Sequence, residues 1–536
     1  MYLNKKTVSD SAKWQQAGVT GIAYDYEQFV KTNIETPQWV HFGIGNIFRA
    51  FVASLAQNLL NEKQSTVGIA AVEVHDEEVL EKVYVPHDNL SLLVIMNGDG
   101  SLEKHIIGSI SESLFGDPSN QQDWARLQYI FTSPSLQLAS FTITEKGYAV
   151  YDFSGSFTAD VQHDLVYGLT APKSMMGKLA ALMYARFKAG AFPISLVSMD
   201  NWARNGEKLQ RAFDTICNSW AERHLVEPEF LRYIRDPQTV AFPWTMIDKI
   251  TPRPSRSVEQ QLLALGIEGN EVYCTQKDTH IAAFVNAEKP QYLVIEDDFP
   301  NGRPPLEKAG VIFTDRDTVE KVDKMKVCTC LNPLMTTLAV FGCTMGYTLM
   351  ADEMKNPYLN KLVRKIGYDE GLPVVTDPKV ICPKDFIDEA VNVRLTNIYM
   401  PDTPQRVATD TSQKVARFGE TIKSYLKSET LDPLDLVYIP LAIAGWCRYL
   451  MAVDDAGNSF SLSTDPLMEE LQKNISYLKL GDSDSVGENL HPILSNTEIF
   501  GLDLYEAGLG KRIEAMVGEL IAGPGAIANT LERYLH

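Results

Sequence analysis

"QWVHFGIGNIFRAFVASLAQNLLN", residues 38–61, decides the fold. An apolar run breaks at Gly43, and from Asn46 onward the apolar positions recur at helical spacing. The stretch therefore reads as strand, tight turn, helix. Gly43 permits the turn, and Gly45 lets a pyrophosphate approach the backbone amides of a helix N-terminus. Phe48 stands where the third glycine of a dinucleotide fingerprint would be, so the motif is present only in its first half. Asn46, Phe48 and Arg49 complete the candidate cofactor-binding stretch; an ordinary tight turn is the competing reading. At the end of the next strand Glu73, or Asp76 three residues on, is the candidate acid for an adenosine ribose. An acid there repels a 2′-phosphate and favours NAD over NADP.

Further strands follow in "TVGIAAVEV" (66–74), "LSLLVIMNGDGSL" with a turn at Asn97–Gly100, "LQLASFTITEKGYAV" and "FPISLVSMDN". Helical stretches such as 174–189 interleave with them, which implies an α/β layer with a mostly parallel sheet. Beyond about residue 310 helical periodicity dominates, at 333–355, 412–428, 433–453 and 512–535. The expected architecture is a Rossmann-type N-terminal domain over 1–252 and a largely α-helical domain over 253–536, divided at the proline-rich step 252–254.

The chain has 536 residues, 45% hydrophobic, with a net charge of -20. Length and composition allow a large core and two domains. The acidity excludes a protein that tracks a nucleic-acid backbone, which needs clustered positive charge. No run of about 18 uncharged apolar residues offers a membrane span, and the first residues lack a signal-peptide core. A cytoplasmic location is expected. Seven scattered cysteines fit reduced thiols better than a disulfide framework.

"KMKVCTCLNPLMTTLAVFG", residues 324–342, concentrates the remaining chemistry. Its single C-x-C pair, Cys328 and Cys330, has no companion pair for a zinc site and forms no C-x-x-C redox motif, so both read as buried thiols.

In sequence order, "GIGNIFRA", "TITEKGY" (142–148), "SMDNWARNG" (198–206), "FPWTMIDKITP" (242–252) and "YLVIEDDFPNGRP" (292–304) resemble the polyol-specific long-chain dehydrogenases. That group includes mannitol 2-dehydrogenase, fructuronate reductase (mannonate oxidoreductase) and tagaturonate reductase. The resemblance implies a metal-independent, NAD-dependent oxidoreductase with its site between the two domains. It also implies a lysine as general acid-base and an asparagine that polarises the carbonyl. Lys326 and Asn332 match these roles. Several relatives have one residue fewer between the two, which keeps Lys324 as a second candidate.

A lysine suits the chemistry. Hydride loss from an alcohol leaves a developing alkoxide whose proton the nicotinamide does not take, and a desolvated amine accepts it near neutrality. Asn332 and Asn201 are the expected oxyanion donors; Asn332 before Pro333 also reads as a helix cap. By the same resemblance Asp248 binds substrate hydroxyls, with a structural salt bridge to Lys249 or Arg253 as the alternative. Arg406 and Lys414 match two cationic substrate contacts, and Glu145 gates proton exit or is a solvated turn residue. Where relatives carry a substrate-binding histidine, this chain has Met335, which neither donates nor accepts as imidazole does. His280 is either an imidazole supplied from elsewhere or an ordinary satisfied histidine.

The expected reaction interconverts a keto-sugar or keto-uronate with its polyol or aldonate, fructuronate and mannonate first. A mannitol or fructose 2-dehydrogenase, an epimerase that retains NAD, and a non-catalytic NAD-binding relative are the alternatives.

Overall fold

The computed structural model describes residues 1–400 and 402–536. The chain divides into two compact units, Met1–Glu320 and Lys321–His536.

The first unit is built on six strands: β1 (Trp39–Phe42), β2 (Ile69–Glu73), β3 (Ile110–Phe115), β4 (Leu138–Phe141), β5 (Ile194–Ser198) and β6 (Val240–Ala241). All pair in parallel, in the order β3-β2-β1-β4-β5-β6. This is the doubly wound dinucleotide-binding order, with its reversal between β1 and β4. The strands are near-continuous apolar runs because both faces are covered. Val40, Phe42, Val72 and Phe141 enter one core cluster, while Trp39, Ala71 and Leu138 enter the other. A shift of one residue in any strand would exchange those two sets.

The expected division at 252–254 is corrected to Glu320/Lys321. After the proline-rich step the chain returns to the first unit. Phe284–Ala287 pairs in parallel with Ser91–Met96, and Tyr292–Glu296 pairs antiparallel with Thr245–Asp248. Prolines marked a loop there, and the pairing partners that decide the boundary lie far away in sequence.

In the first unit the turn after β1 leads through a π-helical turn, Phe48–Val52, into α1 (Ala53–Asn61). Helix α2 (Arg316–Lys324) runs across the division of the units. The second unit continues with a π-helical turn at Met325–Cys330, a break at Leu331 (φ -133°) and α3 (Asn332–Thr344). It goes on through α4 (Ala416–Leu426) and the buried α5 (Tyr438–Leu450) to α6 (Gly510–Leu520) and α7 (Ala526–Leu535). Helix α5 packs against α3 and α6. Its Gly445 lets Phe341 of α3 approach so closely that a Cβ would lie 2.4 Å from the ring. The single helix expected over 512–535 is two, because Gly523 and Gly525, both at positive φ, flank Pro524. The stretch Arg316–Thr344 is long and apolar enough to cross a membrane, but 78% of its apolar window is buried in the protein.

Candidate active site

The turn after β1 shows why the opening stretch needs its first glycine. Gly43 has φ +90°, and a Cβ on it would lie 2.1 Å from the Thr142 carbonyl oxygen at the end of β4. A Cβ on Gly45 would meet nothing within 4 Å, which leaves its backbone open to a ligand at the switch point of the sheet. These two glycines fit a dinucleotide.

The next residues turn inward. Phe48 is fully buried and stacks on His41 at 4.4 Å. Arg49 is 1% exposed; its guanidinium donates to the Ala282 carbonyl (2.8 Å), Ser91 Oγ (3.1 Å) and Asn46 Oδ1 (3.2 Å). The expectation that Phe48 and Arg49 contact the cofactor is therefore corrected: one is core, and the other ties the π-helical turn to Ser91 and Ala282. Asn46 is half-buried beside them. His41 itself sits between Ser140 and Thr142, and burial pushes its imidazole down to about 3, so it is neutral.

At the end of β2, Glu73 Oε1 accepts from the amides of Val74 (3.0 Å), His75 (2.8 Å) and Asp76 (3.0 Å). Burial raises the Glu73 carboxyl despite those donors. Asp76 accepts from Thr275 Oγ1 at 2.6 Å. Burial works to raise it, but the hydroxyls of Thr275 and Thr279 leave it below the usual range. A phosphate at this strand end would meet a carboxylate that already holds all three amides. Glu73→Ser frees those donors, and hydrogen bonds to a charged group are worth about 1.5–3 kcal/mol. The expected outcome is a rise of roughly tenfold or more in kcat/KM for NADPH, read in steady-state assays against NADH.

Beyond the carboxyl ends of β4 and β5 lies a cavity of about 340 Å³, lined by Thr144, Glu145, Asp200, Asn201, Trp202 and Lys249 among others. Asp200 was not anticipated from sequence. Its carboxylate accepts from the amides of Ile143 (3.0 Å) and Thr144 (2.9 Å) and from the Tyr148 hydroxyl (2.6 Å). It thereby holds Thr144 at φ +60°, a conformation costly for a β-branched residue. Glu145 and Asn201 are exposed at this cavity, and Asp248 is buried at the end of its strand.

In the second unit Lys326 is 2% exposed, whereas Lys324 is exposed. The carbonyl of Lys326 accepts from the Leu331 amide at 3.2 Å, an i→i+5 bond. A π-turn is one residue wider than an α-turn, so it takes up the extra residue between Lys326 and Asn332. Leu331, not Asn332, is the cap residue of α3, and the Asn332 side chain makes no hydrogen bond among the described residues. Its amide is not spent on capping. Met335 lies one turn along, half-buried like Asn332, while Pro333, Leu334 and Thr336 are buried. The two share the less covered side of the first turn of α3, so Met335 is not simple core filler. Burial raises the thiols of Cys328 and Cys330 to about 11 and about 12, so both are protonated and inert.

Arg406, expected at the substrate, instead makes a two-pronged ion pair with Asp402 (2.6 and 2.6 Å). Lys414 donates to the Val407 carbonyl at 2.9 Å, and burial, with repulsion from Arg417, lowers its pKa. Arg417 was missed because an arginine on a helix looks like surface charge until its burial is known. Arg417 is half-buried; its hydrogen bond among the described residues is a long one, 3.5 Å to Thr336 Oγ1, and the Asp323 charge favours its protonated form without a salt bridge among those residues. Burial pushes its guanidinium down to about 10, still protonated at neutral pH. Arg417 and Lys414 line a cavity of about 360 Å³ with Val327, Cys328, Asp410 and Glu420. Of the two acids, Glu420 is paired with Lys423 at 2.7 Å.

Residues 37–308 match the family model of the mannitol dehydrogenase Rossmann domain, and residues 318–521 that of the mannitol dehydrogenase C-terminal domain. D-mannonate oxidoreductase of Thermotoga maritima is 54% identical over 535 residues, covering 99% of this chain and 98% of that protein. Mannitol 2-dehydrogenase of Neosartorya fischeri is 28% identical over 545 residues, 99% of each. The structure of Pseudomonas fluorescens mannitol 2-dehydrogenase in ternary complex with NAD and D-mannitol matches with a TM-score of 0.72 at 27% identity. It covers 100% of this chain and 99% of that one. A substrate-free D-sorbitol dehydrogenase gives a TM-score of 0.80 at 22% identity over both full chains, a likeness of fold.

Proposed function

We propose that this chain, which belongs to the mannitol dehydrogenase family and is an NAD-dependent oxidoreductase of CH–OH groups, interconverts fructuronate and mannonate. The dinucleotide, when bound, gives or takes the hydride. Gly43 and Gly45 let it approach the backbone at the switch point, and Glu73 sets its preference for NAD. Lys326 takes the hydroxyl proton as mannonate is oxidised and returns it to the carbonyl oxygen in reduction. The side-chain amide of Asn332, without a hydrogen bond among the described residues, donates to that oxygen as negative charge develops, and Asn201 is the second proposed donor. Asp248 is the proposed acceptor for substrate hydroxyls. Lys324 is the weaker candidate for the base, since its side chain is exposed to water.

The observation that carries a sugar acid over a neutral sugar is Arg417. The Arg417 guanidinium is half-buried and forms no salt bridge among the described residues, and a substrate carboxylate would give it charge-assisted hydrogen bonds. Lys414, in the same cavity, adds a second cation. The 54% identity with a mannonate oxidoreductase supports the same reading. We place the enzyme in the cytoplasm, in keeping with its free cysteines.

Met335→His tests the departure from the family pattern. On the half-covered side of α3 an imidazole gains one hydrogen bond to substrate, about 1–1.5 kcal/mol, hence roughly a tenfold rise in kcat/KM for fructuronate with the melting temperature held. A destabilised variant with no kinetic gain would put Met335 in the core and remove it from the site.

A further inference from the structure

We propose that the hairpin Tyr273–Ile281 is a binding site for a single divalent transition-metal ion of the zinc class, held by Cys274, Asp278 and His280. It lies in the first unit. Cys274 and His280 are directly opposed cross-strand partners, so their side chains leave the same face of the ribbon. Asp278 sits at φ +60°, which bends the loop back over that face. The result is a set of thiol, carboxylate and imidazole donor atoms all within 4.8 Å of one another. Cys274 Sγ lies 3.4 Å from Asp278 Oδ1, and His280 Nε2 lies 3.7 Å from the same oxygen.

The loop between these ligands is fixed before any ion arrives. The Thr275 amide donates to the Thr279 carbonyl at 3.0 Å, and the Thr279 amide returns to Thr275 Oγ1 at 3.0 Å. Thr275 Oγ1 donates to Asp76, the Gln276 amide donates to Glu78 Oε2 (3.1 Å), and Lys277 Nζ donates to the His75 carbonyl. The ribbon is thus pinned to the loop that follows β2. A thiolate and an imidazole select zinc, cobalt or nickel over magnesium or calcium. Thiolate plus carboxylate neutralise a divalent ion, and Glu78 adds negative charge nearby, with Arg253 opposing it. Cys274 and Asp278 are exposed and His280 half-buried, which leaves coordination positions for water. On binding, the Cys274 thiol gives up its proton, now directed at Asp278, to solvent, and its sulfur bonds the metal.

Titration of the full chain with Co²⁺ under argon tests the proposal. The expected result is a thiolate-to-cobalt charge-transfer band in the near ultraviolet that saturates at one ion per chain. The band is lost in Cys274→Ser and retained in Cys382→Ser, which removes the other exposed thiol. His280→Ala weakens the ion's binding by about tenfold or more. In a second measurement Zn²⁺ slows alkylation of Cys274, read by peptide mass spectrometry, and leaves that of Cys382 unchanged. A wild-type chain without the band, a band that survives in Cys274→Ser, or equal alkylation with and without Zn²⁺ overturns the site.

Discussion

Replacing Lys326 by alanine is expected to lower the turnover number by about a hundredfold or more, the upper part of what a positioned acid-base contributes. The dissociation constant for NADH should stay unchanged, because the glycines and acids proposed to hold the dinucleotide belong to the other compact unit. Lys324→Ala is expected to leave turnover near wild type. Burial separates the two: Lys326 is 2% exposed, on the π-turn Met325–Cys330, and Lys324 is exposed. Single-turnover hydride transfer, measured alongside NADH binding by fluorescence, separates loss of chemistry from loss of cofactor. If Lys324→Ala carries the loss instead, the π-turn does not restore the family register and the assignment of the base is wrong.

The second large effect is expected at Arg417. Truncating one partner of a buried charge pair costs about 2–5 kcal/mol. Arg417→Leu should therefore lower kcat/KM for fructuronate by roughly a hundredfold, mostly through KM, while reduction of fructose, which has no carboxylate, is unaffected. Stability should change little, since Arg417 is half-buried and forms no salt bridge among the described residues. Arg417→Lys should recover part of the loss, as a point charge without the planar fork. A variant that loses fructose and fructuronate activity equally, or that melts well below wild type, would make Arg417 structural.

Much of the first unit was legible in residues 38–61, because steric exclusion at Gly43 leaves no other residue possible beside Thr142, and the short apolar runs of strands covered on both faces stand out from the helical spacing that follows. The residues after Gly45 were misread for a physical reason. Spacing says which side chains lie near a turn, but the π-helical path of Phe48–Val52 decides which of them face the core, and Phe48 and Arg49 do. The domain boundary failed because prolines announce loops, while a boundary depends on strand pairing across many residues, as between Phe284–Ala287 and Ser91–Met96. Lys326 and Asn332 came from a resemblance; the burial of Lys326 and the half-covered side chain of Asn332 are properties that local pattern alone does not reveal. Arg406 and Arg417 show the same limit in opposite directions. One looked like a substrate contact and is paired with Asp402, while the other drew no notice in the sequence and is half-buried at a cavity.

The claim at the centre of this account is a net redox conversion of a sugar acid with NAD. The most direct test follows NADH absorbance and the sugar products together when fructuronate is supplied in the absence of any other oxidant. The expected result is one NADH oxidised for each mannonate formed, faster than with fructose and faster than with NADPH. Interconversion of hexuronate isomers without net NADH consumption, or no turnover with any keto-uronate, would contradict it.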